Sequence, residues 1–126
     1  MRAPSVSSFG IEVGHMERAR SFYVDALGLS VAFTIDNDAL EEIAVNDGDG
    51  GPAILLMRTK GTPVPGPEPK TGKVVLVTDD VASLYAAAIA GGAASEREPA
   101  AYPGTSYIIG MVRDADGNLV EMIQTS

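Results

Sequence analysis

The sequence predicts an α+β fold of two βαβββ modules, and three observations carry that prediction. A strand-like run followed by a helical stripe occurs twice with the same spacing, so that Ser8 aligns with Lys73, Ile11 with Leu76 and Met16 with Val81. Each stripe stops at glycine, Gly28 in the first copy and Gly91-Gly92 in the second, the residue best suited to leaving a helix. Between the copies, Gly61 to Gly72 holds Pro63, Pro65, Pro67 and Pro69, which fix φ and extend the chain as a stiff connector. The expected organisation is one domain over 1–126, with module one at 6–60, the connector at 61–72 and module two at 73–126.

Module one opens with a strand read over Val6 to Val13. The next segment, Met16 to Leu27, puts Met16, Ala19, Tyr23, Ala26 and Leu27 on one helical stripe. Three β-like runs follow at Val31 to Ile35, Glu42 to Val45 and Ala53 to Met57. Asn46-Asp47-Gly48-Asp49-Gly50-Gly51 separates the last two, in the composition of a hairpin loop. Module two restarts with the strand Val74 to Val77, a helix cap at Asp79 or Asp80, and a stripe of Val81, Leu84, Tyr85, Ala88 and Ile89. A closing hairpin runs Tyr107 to Arg113, a turn at Asp114-Ala115-Asp116-Gly117-Asn118, and Leu119 to Gln124.

Composition narrows the functional classes. With 126 residues, 45% of them hydrophobic, the chain can bury a core of its own, and a net charge of −8 is the wrong sign for a nucleic-acid backbone. No apolar run approaches the roughly 18 residues that cross a bilayer. Met1-Arg2-Ala3-Pro4-Ser5 is not followed by the apolar stretch of a signal peptide, so the expectation is a cytoplasmic protein with neither membrane nor nucleic acid as partner. Cysteine is absent, which removes disulfides, thiolate nucleophiles and cysteine-based zinc sites.

Gly10-Ile11-Glu12-Val13, together with the run from Met16 to Leu29 that ends Phe22-Tyr23-Val24-Asp25-Ala26-Leu27-Gly28-Leu29, resembles the first module of the vicinal oxygen chelate superfamily. This is the glyoxalase, bleomycin-resistance and extradiol-dioxygenase superfamily. Val74 to Val81, Gly91-Gly92-Ala93 and Asp114-Ala115-Asp116-Gly117-Asn118-Leu119-Val120-Glu121-Met122 resemble its second module. The resemblance implies paired βαβββ units whose curved sheets form a cleft, with a divalent metal held by residues on several strands. In this sequence the first ligand position is Ser8 and the second-module position is Lys73. The mid-chain acidic position falls within the apolar run Ile54-Leu55-Leu56-Met57, and Glu121 is the one ligand position that matches. A lone carboxylate does not make a metal site, so no cofactor is expected, with a divalent metal as the rival.

His15, the sole histidine, falls where the family has a helix-opening Asp and is read as a helix-start residue outside the cleft. Asp114, Asp116 and Asn118 imitate a calcium loop, but the bidentate acid of an EF-hand would fall on Thr125, so a hairpin turn is expected. Asp47 and Asp49 are likewise read as turn chemistry.

Strand alternation then selects a wall. Ser8 shares a face with Gly10 and Glu12, and Lys73 with Val75 and Val77; the family resemblance implies that Glu121 faces inward with Leu119 and Ile123 and brings Tyr107, Ile109, Met111 and Arg113 to the same side. The expected ligand-binding residues are Ser8, Glu12, Lys73, Tyr107, Met111, Arg113 and Glu121. Lys73 is placed near Glu121, its ammonium standing where a metal cation would be; the pair either holds the sheets in register or orients a ligand. Glu121 and Lys73 are also the candidates for a general base. Tyr102, Tyr107, Phe33, Met57 and Met111 suit a bulky planar ligand or an ordinary core.

These readings converge on a metal-independent protein that binds a drug or natural product, of the antibiotic-resistance kind, and on a homodimer by family habit. The alternatives are a divalent-metal lyase, epimerase or dioxygenase of the same superfamily, and a metal-free enzyme acting on a secondary metabolite.

Overall fold

The structure, a computed structural model, describes residues 3–125; Met1 and Arg2, part of the stretch read for a leader, and Ser126 lie outside the described residues. The chain divides into two units, Met1–Pro65 and Gly66–Ser126.

In the first unit the order is β1 (Ser8–Glu12), α1 (Met16–Arg20), a π-helical turn (Ser21–Ala26), β2 (Ser30–Asp36), β3 (Leu40–Asn46) and β4 (Ala53–Thr59). The sheet order is β1-β4-β3-β2, with β1 parallel to β4 and the other pairs antiparallel. A parallel pair needs a crossover, which the helix supplies, whereas β3 and β4 are joined by the Asn46–Gly51 loop. Asp47 closes that loop by accepting the Asp49 and Gly51 N–H groups at 2.7 and 3.2 Å, which hold its carboxyl below the usual carboxylate value. The strand read from Val6 begins only at Ser8, where the register with β4 begins, and Val6 is exposed.

The first helix departs from the regular stripe. After Arg20 it widens, and Leu27 N–H donates to the Phe22 carbonyl five residues back at 2.9 Å. The wider turn brings adjacent Phe22 and Tyr23 inward together, ring centroids 5.0 Å apart and edge to face, beside buried Met16, Ala19 and Leu27. Gly28, at φ 81°, then ends the helix.

The second unit repeats the plan: β5 (Lys73–Val77), α2 (Val81–Ala90), β6 (Ala94–Ala101), β7 (Ile108–Arg113) and β8 (Leu119–Gln124), in the order β5-β8-β7-β6 with β5 parallel to β8. Asp80 caps α2, accepting from Ser83 N–H at 3.0 Å and Ser83 O–H at 2.7 Å. Gln124 accepts the next orphan donor, Val81 N–H, at 2.9 Å. Val81 and Ala88 are buried under the helix, while Ile89, read as part of its stripe, is exposed.

β6 is a strand that the sequence reading does not contain. Ala94-Ser95-Glu96-Arg97-Glu98-Pro99-Ala100-Ala101 has no apolar alternation, and its register against β7 shifts between Ser95 and Arg97 and again between Arg97 and Ala100. An edge strand with bulges tolerates both the charges and the proline.

The connector is divided. Lys70 N–H donates to the Gly117 carbonyl at 3.1 Å, the Lys70 ammonium to the carbonyls of Gly66, at 3.0 Å, and of Asp116, and Arg113 Nη1 to the Lys70 carbonyl at 2.9 Å. A Cβ on Gly117, at φ 83°, would overlap the Pro67 and Glu68 carbonyls, so glycine lets the connector lie against the turn.

Candidate functional site

In each module the strand register fixes which side chains share the sheet face turned away from the helix. In module two, Cα partners form three rows across β5, β8, β7 and β6: Lys73-Leu119-Arg113-Ala94, Val75-Glu121-Met111-Arg97 and Val77-Ile123-Ile109-Ala100. Alternate residues Val74, Val120, Met122 and Val112 are buried on the other face. Sequence alternation placed Lys73, Met111, Arg113 and Glu121 on one face, and the register brings them there; Tyr107 precedes β7 and is exposed.

At the centre of this face the Lys73 ammonium donates to Glu121 Oε1 at 2.9 Å. The two side chains differ sharply in exposure, 47% for Lys73 and 7% for Glu121. The carboxylate is the desolvated partner and depends on the ammonium; the ammonium reaches solvent and is available to a third group.

Arg113 is more heavily engaged than its place in the row suggests. Its Nε donates to Glu96 Oε1 at 2.8 Å and its Nη1 to the carbonyls of Lys70 and Gly117 at 2.9 and 3.1 Å, so it braces the connector and the closing turn. That turn is built by buried Asp114, whose carboxylate accepts from Asp116 N–H, Asn118 N–H and Asn118 Nδ2 at 2.9, 2.9 and 3.1 Å. The calcium-like spacing therefore serves an Asx turn.

In module one the equivalent rows are Gly10-Leu55-Ala44-Phe33 and Glu12-Met57-Glu42-Ile35, with Ser8 beside Ala53. By matching register, Leu55 holds in module one the place that Glu121 holds in module two. Met57 lies across Gly10: a Cβ there would stand 2.7 Å from the Met57 sulfur. Glu12, Met57, Thr59, Thr62 and Pro63 are among the residues lining a cavity of about 320 Å³ at this end of the sheet. His15 is exposed at the N-cap of α1 and makes no side-chain capping bond.

Taken module by module, the positions where the family resemblance expects metal ligands are occupied by other chemistry: in module one Ser8 is a neutral hydroxyl and Leu55 is apolar, and in module two Glu121 accepts from an ammonium. Among the described residues no group of three or more His, Cys, Asp or Glu side chains converges in a way that could hold a metal ion. No described helix is long and apolar enough to cross a membrane.

Arg97 is the residue that sequence reasoning missed. It ends the central row, its guanidinium carbon stands 5.6 Å from the centroid of the Tyr102 ring, and its Nε is buried without a hydrogen-bond partner among the described residues. The signal was hidden because β6 itself was not legible as a strand.

Comparisons with known proteins agree with this architecture. TnmS3, an antibiotic-binding protein from Streptomyces sp. CB03234, superposes with a TM-score of 0.77 at 25% identity, covering 100% of this chain and 99% of that one. Glyoxalase I from Zea mays superposes with a TM-score of 0.83 at 22% identity, a likeness of fold, covering 94% of this chain and 44% of that longer one. In sequence, a lactoylglutathione lyase of Haemophilus influenzae is 28% identical over 118 residues, 90% of this chain and 87% of that protein. The profile of the Glyoxalase/Bleomycin resistance protein/Dioxygenase superfamily matches residues 5–122, and the chain belongs to that superfamily.

Proposed function

We propose that this protein binds a drug or natural product without a divalent metal, holding it against the open face of module two, and that it does so as a cytoplasmic homodimer. One observation carries the reading: Lys73 and Glu121, at two positions where the superfamily resemblance expects metal ligands, are joined to each other as an ion pair. Around them the face offers Val75, Val77, Met111 and Ile123, an apolar surface with a few oriented polar groups, which is the usual make-up of a small-molecule site. The half-exposed ammonium keeps donor capacity for a ligand oxygen. The likeness to an antibiotic-binding protein along its whole length supports the same class of ligand. Tyr107 is the further contact proposed for this face, and Ser8 and Glu12 are proposed as ligand contacts on the equivalent face of module one.

The test compares wild type with the double variant Lys73→Met/Glu121→Leu. Replacing both partners by apolar groups leaves no buried charge unpaired, so the fold is kept while the polar contact is lost. Calorimetric titration with a panel of aromatic antibiotics is expected to find a ligand for wild type whose affinity falls about tenfold or more in the double variant. Equal affinity in the two proteins assigns the pair a purely structural role and rejects the reading.

The sequence likeness to a lactoylglutathione lyase favours a second reading, a divalent-metal enzyme. Protein purified without chelator separates the two: stoichiometric Mn, Ni, Zn or Fe supports the enzyme, and a metal content far below one per chain supports the binding protein.

A further inference from the structure

We infer that Arg97 is the anchor for an oxyanion on the bound ligand, which makes the ligand of module two a flat apolar molecule carrying a carboxylate, phenolate or similar group. The inference rests on the ligand-binding reading of the same face and specifies its ligand class.

The first argument is positional. Ser95 faces α2, where its hydroxyl meets Tyr85 O–H at 2.5 Å, and Pro99 lies beside Gly110 and Tyr85 on that same side. Strict alternation would put Arg97, midway between them, under the helix as well. Instead β6 shifts register on both sides of Arg97: two residues of β6 span one of β7 from Ser95 to Arg97, and three span two from Arg97 to Ala100. The paired bulges turn this one side chain to the open face, opposite Met111, and bulges that re-aim a single side chain recur next to functional sites.

The second argument is chemical. A buried guanidinium N–H without an acceptor loses its hydration and regains nothing, a cost proteins rarely leave standing. Arg97 Nε is in that position, while Glu96, its chain neighbour, is committed to Arg113 and Glu121 is committed to Lys73. The Tyr102 ring lies against the guanidinium without supplying an acceptor, and a rotation of the Arg97 side chain that uncovers Nε presents the planar fork to an oxyanion for two parallel hydrogen bonds. Met111 separates Arg97 from Glu121 along the row, so the two groups stand about 10 Å apart, two strand spacings. An anionic group at Arg97 thus avoids the carboxylate, and the body of the ligand lies over Met111, Ile109 and Val75.

Two fluorescent probes with the same fused and pendant rings test this: anilinonaphthalene sulfonate, which carries an oxyanion, and phenylnaphthylamine, which carries none. Arg97→Met, with Arg97→Gln as a second variant that keeps a polar side chain, is compared with wild type after circular dichroism confirms the fold. The expected result is that sulfonate affinity falls about tenfold in both variants while phenylnaphthylamine affinity changes less than about twofold. Equal losses for the two probes, or no loss for the sulfonate, overturns the role of Arg97 and leaves the ligand-binding face standing. Failure of wild type to bind either probe overturns both.

Discussion

Removing the Lys73 ammonium strands a carboxylate that is 7% exposed. Lys73→Met is therefore expected to lower stability by about 1–2 kcal/mol, a figure held down because Lys73 is half in solvent. Adding Glu121→Leu is expected to recover most of that loss, since module one already carries Leu55 in the equivalent place. Urea denaturation of wild type, both single variants and the double variant measures the coupling, and additive single effects would contradict it. That these two residues lie close together was legible through the ligand positions the family resemblance implies; that they sit on adjacent strands of one sheet, and so do not hold two sheets in register, was not. Arg113 was legible as a member of that face but not as a brace, since its partners Lys70 and Gly117 come from the connector and the turn. Contacts that depend on how irregular segments come to rest leave no periodic trace.

At the scale of elements, the two helices differ at their first residue. Asp80 caps α2 with a carboxylate that Ser83 N–H and O–H hold below its ordinary value of 3.8, whereas His15 starts α1 without a capping bond. A depressed carboxyl contributes stability above its unfolded value and loses it as pH falls through the folded one. The gap in melting temperature between wild type and Asp80→Ala is thus expected to be full above pH 4 and to close on further acidification, with a pH-independent gap as the contrary result. His15→Asp supplies the missing cap and is expected to raise stability by about 1 kcal/mol in the same melts. Strands with apolar alternation and helices closed by glycine were read from sequence within a few residues. β6 was not, because Glu96, Arg97, Glu98 and Pro99 interrupt every pattern that marks a strand, and β7 supplies the pairing that makes it one. The π-helical turn was equally hidden, since the helical stripe holds Tyr23 and leaves Phe22 off it, and only packing puts both inside.

For the molecule as a whole, duplication was the most legible property: β1 and β5 begin at Ser8 and Lys73, the residues that sequence alignment paired, and both sheets have the same strand order. The segment between the modules reads in sequence as one uniform stretch of proline and glycine, yet a protease would meet two different substrates there. Lys70 has its N–H and its carbonyl both committed, to Gly117 and Arg113, so its peptide bond cannot be drawn out into the extended form that trypsin accepts. Lys60 also donates its N–H to the Ala39 carbonyl and its ammonium to Asp36. The residues that follow it, Gly61, Thr62, Pro63 and Val64, are nevertheless exposed and leave the far side of its peptide bond open to a protease. Limited trypsinolysis read by intact mass is expected to cut first between Lys60 and Gly61, and first cleavage after Lys70 would contradict the clamp. Gly117→Ala pushes a methyl group into the connector carbonyls and is expected to open the Lys70 site, so that a single missing side chain in a turn decides where the folded chain can be severed.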